Sequence, residues 1–101
     1  MIEALDRFPG GDLVQKGLSD LESRTISQES LLVLVGSPRL RSLGFLIKEL
    51  PMVVKPYEHR LFELIEELSP SEAHAKYNSL IQRLVSFENT YAAETPQQVG
   101  S

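Results

Sequence analysis

The sequence predicts an all-α protein, a compact bundle of five or six helices with a long C-terminal helix. Two observations carry that prediction. Apolar residues recur at alternating steps of three and four in three successive segments: Leu40, Leu43, Ile47 and Leu50; Tyr57, Leu61, Leu64 and Leu68; and Ala73, Tyr77, Leu80, Leu84, Phe87 and Tyr91. This spacing lays a single apolar stripe along a helix, whereas a half-buried strand alternates with a period of two. The segments are also joined by short links marked by Gly36-Ser37-Pro38, Pro51, Pro56 and Ser69-Pro70. Short links favour adjacent, often antiparallel helices.

Ile2, Leu5 and Phe8 form a short helical stripe that Pro9-Gly10-Gly11 stops. Asp12 is the expected N-cap of the next helix, whose stripe is Leu13, Val14, Gly17, Leu18 and Leu21. A glycine inside a helix costs about 1 kcal/mol relative to alanine, so Gly17 is read as the point where a neighbouring helix comes close. Ser23 to Ser27 reads as a connection. The run Leu31 to Val35 suits either a buried strand or a buried helix. No second clear strand exists to pair with it, so 28–35 is read as a helix ended by Gly36.

Ser37-Pro38 is a cap followed by proline at the first helical position, and the helix it opens is expected to run to Leu50, where Pro51 ends it. Met52-Val53-Val54 is an extended link, and Pro56 starts the following helix. Ser69 and Glu72 have the spacing of a capping box, which would open the last helix over 69–94. Residues 1–94 are read as a single helical domain and 95–101 as a disordered tail. At about 1.5 Å per residue the last helix reaches about 36 Å, against a radius of gyration near 13 Å for a chain of this size. Its end beyond Phe87 is therefore expected to overhang the bundle and leave Tyr91 exposed.

A chain of 101 residues, 42% hydrophobic and 24% charged, has the make-up of one soluble globular domain. The absence of cysteine excludes disulfides, thiolate metal ligands and thiol nucleophiles. The first residues are acidic and carry no long apolar run, so no signal peptide is expected. Leu31–Val35 is too short to span a bilayer, and a cytoplasmic setting follows as the expectation. Between residues 37 and 60 five cations (Arg39, Arg41, Lys48, Lys55 and Arg60) stand against Glu49 and Glu58, while both flanks are net acidic. Complementary packing of basic and acidic helices is the simplest use of that layout.

No glycine-rich phosphate loop, no H-E-x-x-H pattern and no triad spacing occurs, so no catalytic, cofactor-binding or metal-ligating residue is assigned. The expected role is a non-catalytic protein–protein interaction or regulatory module, with a homodimer among the assemblies it allows and no membrane partner. Phe45, Met52 and Phe62 lie off the apolar stripes or in a link and are contact candidates. On the last helix, Phe87 and Tyr91 belong to a short heptad-like seam. Arg83 and Glu88 fall at its g and following e positions, where two parallel copies could exchange salt bridges.

Two alternatives stand beside this reading. Residues 28–50 could form a helix-turn-helix DNA-binding unit using Arg39, Arg41 and Lys48, although a pI near 5.1 is unsuited to a lone DNA-binding domain. The acidic corner of Glu63, Glu66, Glu67, Glu72 and His74 could respond to a divalent metal, because carboxylates in the last turn of a helix oppose its dipole.

Overall fold

The computed structural model describes residues 5–53 and 56–94. Within them the chain forms five α-helices and no strand: α1 (Gly11–Glu22), α2 (Gln28–Val35), α3 (Ser37–Ser42), α4 (Tyr57–Leu68) and α5 (Ala73–Glu94). A 3₁₀ turn at Leu5–Arg7 precedes α1, and another at Pro70–Glu72 leads into α5. The all-α expectation and the long C-terminal helix both hold.

The ambiguous 28–35 segment is the central helix. Leu31, Leu32, Val33 and Leu34 are all at most 2% exposed, so α2 is apolar on nearly every side and shows no stripe. It is covered by α1 and α4, its main neighbours, and also by α5. Its start is built by reciprocal capping: the Ser30 N–H donates to Ser27 Oγ at 3.0 Å, and the Ser27 N–H donates to Ser30 Oγ at 2.8 Å. Two of the orphan donors of the first turn are thereby satisfied. Gly17 of α1 sits against α2 as its place in the stripe suggested, with the Glu29 carbonyl and Val33 directly facing its α-carbon.

Three expectations about helix ends are corrected. Asp12 is not the N-cap of α1. That position is held by Gly10 in a left-handed conformation (φ 76°), and Asp12 lies inside the first turn with its carboxylate turned to Arg83. Ser69 makes no side-chain cap. The Glu72 N–H donates instead to the Ser69 carbonyl at 3.1 Å, and the 3₁₀ turn takes up residues 70–72 before α5 begins. The helix opened by Ser37-Pro38 ends at Ser42 rather than Leu50. Gly44 adopts φ 105°, its N–H donates to the Arg41 carbonyl at 3.0 Å, and the Phe45 N–H donates to the Leu40 carbonyl at 3.1 Å. This pair of bonds is a Schellman closure with glycine at the left-handed position. A left-handed residue there is open to glycine at little cost, so the 3-4 stepping of Leu40 to Leu50 is overridden locally.

Residues 45–50 consequently run as a strap across the bundle. Arg41 donates to the Ile47 carbonyl at 3.0 Å, Lys48 pairs with Glu22 at 3.5 Å, and Leu50 is 1% exposed. The molecule measures 45 × 27 × 24 Å with a radius of gyration of 13.6 Å. The C-terminal end of α5 does not overhang freely: Tyr91 is half-buried, and Glu94 lies 3.9 Å from Arg7. The tail expected over 95–101 lies outside the described residues, as do Val54 and Lys55.

Candidate docking groove

The end of α5 that was expected to overhang forms instead one wall of an apolar groove. Phe87 is fully buried, and its ring stacks on Tyr91 with centroids 5.5 Å apart. Phe8 meets Tyr91 at 5.4 Å from the N-terminal turn, and Phe45 meets it at 4.9 Å from the strap. These four rings hold the strap, the N-terminal turn and α5 in one register, each offset or edge-on pair adding about 0.5–1.5 kcal/mol beyond the area it buries.

Between this aromatic wall and α1 lies a groove of about 770 Å³. Leu5 and Leu21 supply its floor, Leu18 its α1 side, and Phe45, Leu46 and Tyr91 its opposite side. Its rim is polar: Gln15 accepts the Leu5 N–H at 2.9 Å, and the Lys48–Glu22 pair stands at one edge beside Ser19 and Ser23. Leu46 is 92% exposed, the most exposed large apolar side chain among the described residues. The strap that carries it is tied down on either side of Ile47, so Leu46 is presented by a held backbone.

The sequence-derived contact candidates separate into distinct places. Phe45 and Tyr91 meet in the groove. Met52, 56% exposed, lines a second depression with Ile26 and Leu64. Phe62 lines a third, between α4 and α5. Phe87 is used up within the fold. Arg83 donates to both carboxylate oxygens of Asp12 at 3.3 and 3.4 Å, tying α5 to α1. Glu88 is buried at 6% exposure over the α2–α3 junction, and its Oε2 has no hydrogen-bond partner among the described residues. Burial raises its carboxyl above the ordinary value, and the Arg39 charge opposes that only in part. Glu88 is therefore not at the surface, where an interchain e–g pair would need it, while Arg83 is exposed and paired with Asp12.

The cations of the DNA-binding alternative are engaged locally. Arg41 holds the Ile47 carbonyl and approaches Glu49 at 3.5 Å, Lys48 pairs with Glu22, and Arg39 reaches Asn89 at 3.5 Å. The helix that should enter a groove of DNA has six residues. At the acidic corner Glu63 pairs with Arg60 at 3.0 Å, and no three His, Asp or Glu side chains converge as metal ligands would among the described residues.

Leu46 is the exposed groove residue that sequence reasoning did not single out. It falls between the stripe positions Leu43 and Ile47, off the helical step. The available signal was Gly44 followed by Phe45-Leu46-Ile47, three apolar residues in a row directly after a glycine able to end the helix. No protein family, no curated protein and no solved structure matches this chain.

Proposed function

We propose that this chain is a non-catalytic protein-interaction module whose docking surface is the groove between α1 and the 45–48 strap, and that its occupant is a second copy of the chain. One observation carries this reading: an almost fully exposed leucine stands on a pinned strap and forms part of the wall of an apolar groove of about 770 Å³. A surface that places a knob beside a hole is self-complementary, because a twofold axis sets each knob in the partner's hole. The aromatic residues of the wall, Phe45 and Tyr91, are of the kind enriched at interface centres, and the polar rim suits the edge of such a contact. A cytoplasmic setting belongs to this reading and rests on the absence of cysteine.

The test is the molar mass in solution of the wild type and of Leu46→Asp, by light scattering over a range of concentrations. The expected result is a wild type that approaches twice 11.3 kDa and a Leu46→Asp variant that stays at 11.3 kDa with an unchanged helical spectrum. A wild type that remains monomeric at high micromolar concentration overturns the homodimer. A dimer that survives Leu46→Asp moves the interface away from this groove.

A further inference from the structure

The third depression, between α4 and α5, has a different chemistry. Its volume is about 510 Å³. Phe62 of α4 forms its floor, with His74 at 5.0 Å and Tyr77 at 5.7 Å between ring centroids, the latter pair edge-on. Phe62 and Tyr77 are half-buried and held by the helix pair, so the ring faces are preformed. Glu58 and Glu63 stand on the rim. Glu63 shares Arg60, while Glu58 forms no ion pair or hydrogen bond among the described residues. The Glu58 charge is felt inside the groove: together with burial, the larger cause, it raises the Tyr77 hydroxyl above its ordinary value. The carboxylates of Glu58 and Glu63 line the opening and no Lys or Arg side chain does, so the charge at the opening is negative.

We infer that the α4–α5 groove binds the guanidinium of an arginine side chain presented by a basic segment of a partner protein, with Phe62, His74 and Tyr77 as its stacking surface and Glu58 as its counter-charge. A planar, weakly hydrated cation is attracted to ring faces and gives its paired N–H groups to a carboxylate at the same time. Lysine offers a compact, strongly hydrated charge that gains less from a ring-lined groove. An acidic or apolar segment would leave Glu58 unpaired and meet the negative field. This site is independent of the groove proposed for self-association.

The experiment uses the intact chain with three capped tripeptides, acetyl-Gly-Arg-Gly-amide and its lysine and citrulline counterparts, followed through the ring resonances of Phe62, His74 and Tyr77. The arginine peptide is expected to give saturable shifts confined to this groove, with Kd in the millimolar range for so small a probe. Citrulline, which keeps the shape and loses the charge, is expected to bind more weakly, and lysine likewise. Glu58→Gln is expected to weaken the arginine peptide roughly two- to fivefold, the effect of an exposed pair, without touching the fold. Absence of groove shifts, equal shifts from citrulline, or an unchanged Kd in Glu58→Gln would overturn the site. Equal binding of the lysine peptide would overturn the guanidinium assignment.

Discussion

Gly17 of α1 lies against the Glu29 carbonyl of α2, leaving no space for a side chain between the two helices. A β-carbon there would sit 2.9 Å from the Glu29 carbonyl carbon and closer still to its oxygen and to Val33 Cγ2. These are largely backbone atoms of the most buried helix, so no flexible side chain can move aside. α1 and α2 also form the most extensive helix pair in the fold.

Two effects of Gly17→Ala oppose each other. Alanine favours the helix by about 1 kcal/mol through backbone entropy. Forcing two packed helices apart costs typically about 1–3 kcal/mol, occasionally more, and here the obstruction is rigid. The expected net change is a destabilisation of about 1–2 kcal/mol, measured as a lower urea midpoint with an unchanged m-value. A more stable variant would show that the helices separate freely.

Arg24 is the converse case. It is an exposed non-glycine residue at φ 58°, directly after the C-cap of α1. Its N–H donates to the Leu21 carbonyl and the Thr25 N–H donates to the Asp20 carbonyl at 2.7 Å, the same closure that Gly44 makes after α3. The left-handed region costs an L-residue about 1–2 kcal/mol, of which the freer unfolded chain of a glycine variant takes back part. Arg24→Gly is expected to stabilise by about 0.5–1 kcal/mol, read as a rise in melting temperature. A fall would mean that the Arg24 side chain contributes contacts that outweigh its backbone strain.

The two Schellman closures explain much of what the sequence showed and hid. Periodicity located α1, α4 and α5 because their apolar stripes are long enough to outweigh single exceptions, whereas α2 has no stripe and reads as a helix only because no second strand stands to pair with it. Periodicity overran α3, because Leu43, Ile47 and Leu50 keep the helical step by coincidence: Leu43 and Leu50 are buried from irregular backbone, which no spacing rule registers. The reciprocal cap at Ser27 and Ser30 was missed because serine replaces the usual acidic or amide partner at the third position. Ser69 and Glu72 had the expected spacing without forming the cap, because Pro70 begins a 3₁₀ turn there. The docking groove was legible only in part. Phe45 and Tyr91 stood out as aromatic residues, but their meeting depends on the strap, and the strap depends on Gly44. Glu88 was unreadable as a buried residue because a charged side chain on a mixed face is ordinarily solvated.

Asp20 and Glu88 give stability opposite pH dependences. Lys16 donates to Asp20 Oδ2 at 2.8 Å and Ser27 Oγ donates to the same atom at 2.6 Å, holding the Asp20 carboxyl below its ordinary 3.8. Its folded state binds fewer protons than its unfolded state, so its contribution is complete above the unfolded value and is lost as pH falls through the folded one. Glu88 is raised above 4.5 by burial, so its folded state binds more protons, and stability falls as pH rises from the unfolded toward the folded value. At neutral pH the buried carboxylate is a net cost. Glu88→Gln is therefore expected to be more stable than wild type at neutral pH, with the gap closing as pH falls through the raised folded value and gone by about 4.5. Asp20→Asn is expected to be less stable at neutral pH, with its gap closing below 3.8. Urea melts of the three proteins across the acid range read both slopes. A Glu88→Gln variant less stable than wild type at neutral pH would show that the carboxylate has a partner.

Phe87 and Leu46 separate folding from association. Phe87 is 0% exposed, with Phe8, Phe45 and Tyr91 packed around it, so Phe87→Ala removes core volume and is expected to cost about 3–5 kcal/mol. Leu46 is 92% exposed and contributes little to the isolated fold, so Leu46→Asp is expected to stay within about 0.5 kcal/mol of the wild type when both are monomeric. Self-association couples to folding by mass action, which makes the melting temperature of a dimer rise with protein concentration. The expected pattern is a concentration-dependent melt for wild type, a lower but still concentration-dependent melt for a Phe87→Ala chain that retains its helices, and a concentration-independent melt for Leu46→Asp. A wild-type melt that does not move with concentration contradicts the dimer. A Leu46→Asp melt that keeps the dependence assigns the contact to another surface, of which the exposed Ile26 and Met52 depression is the next to mutate.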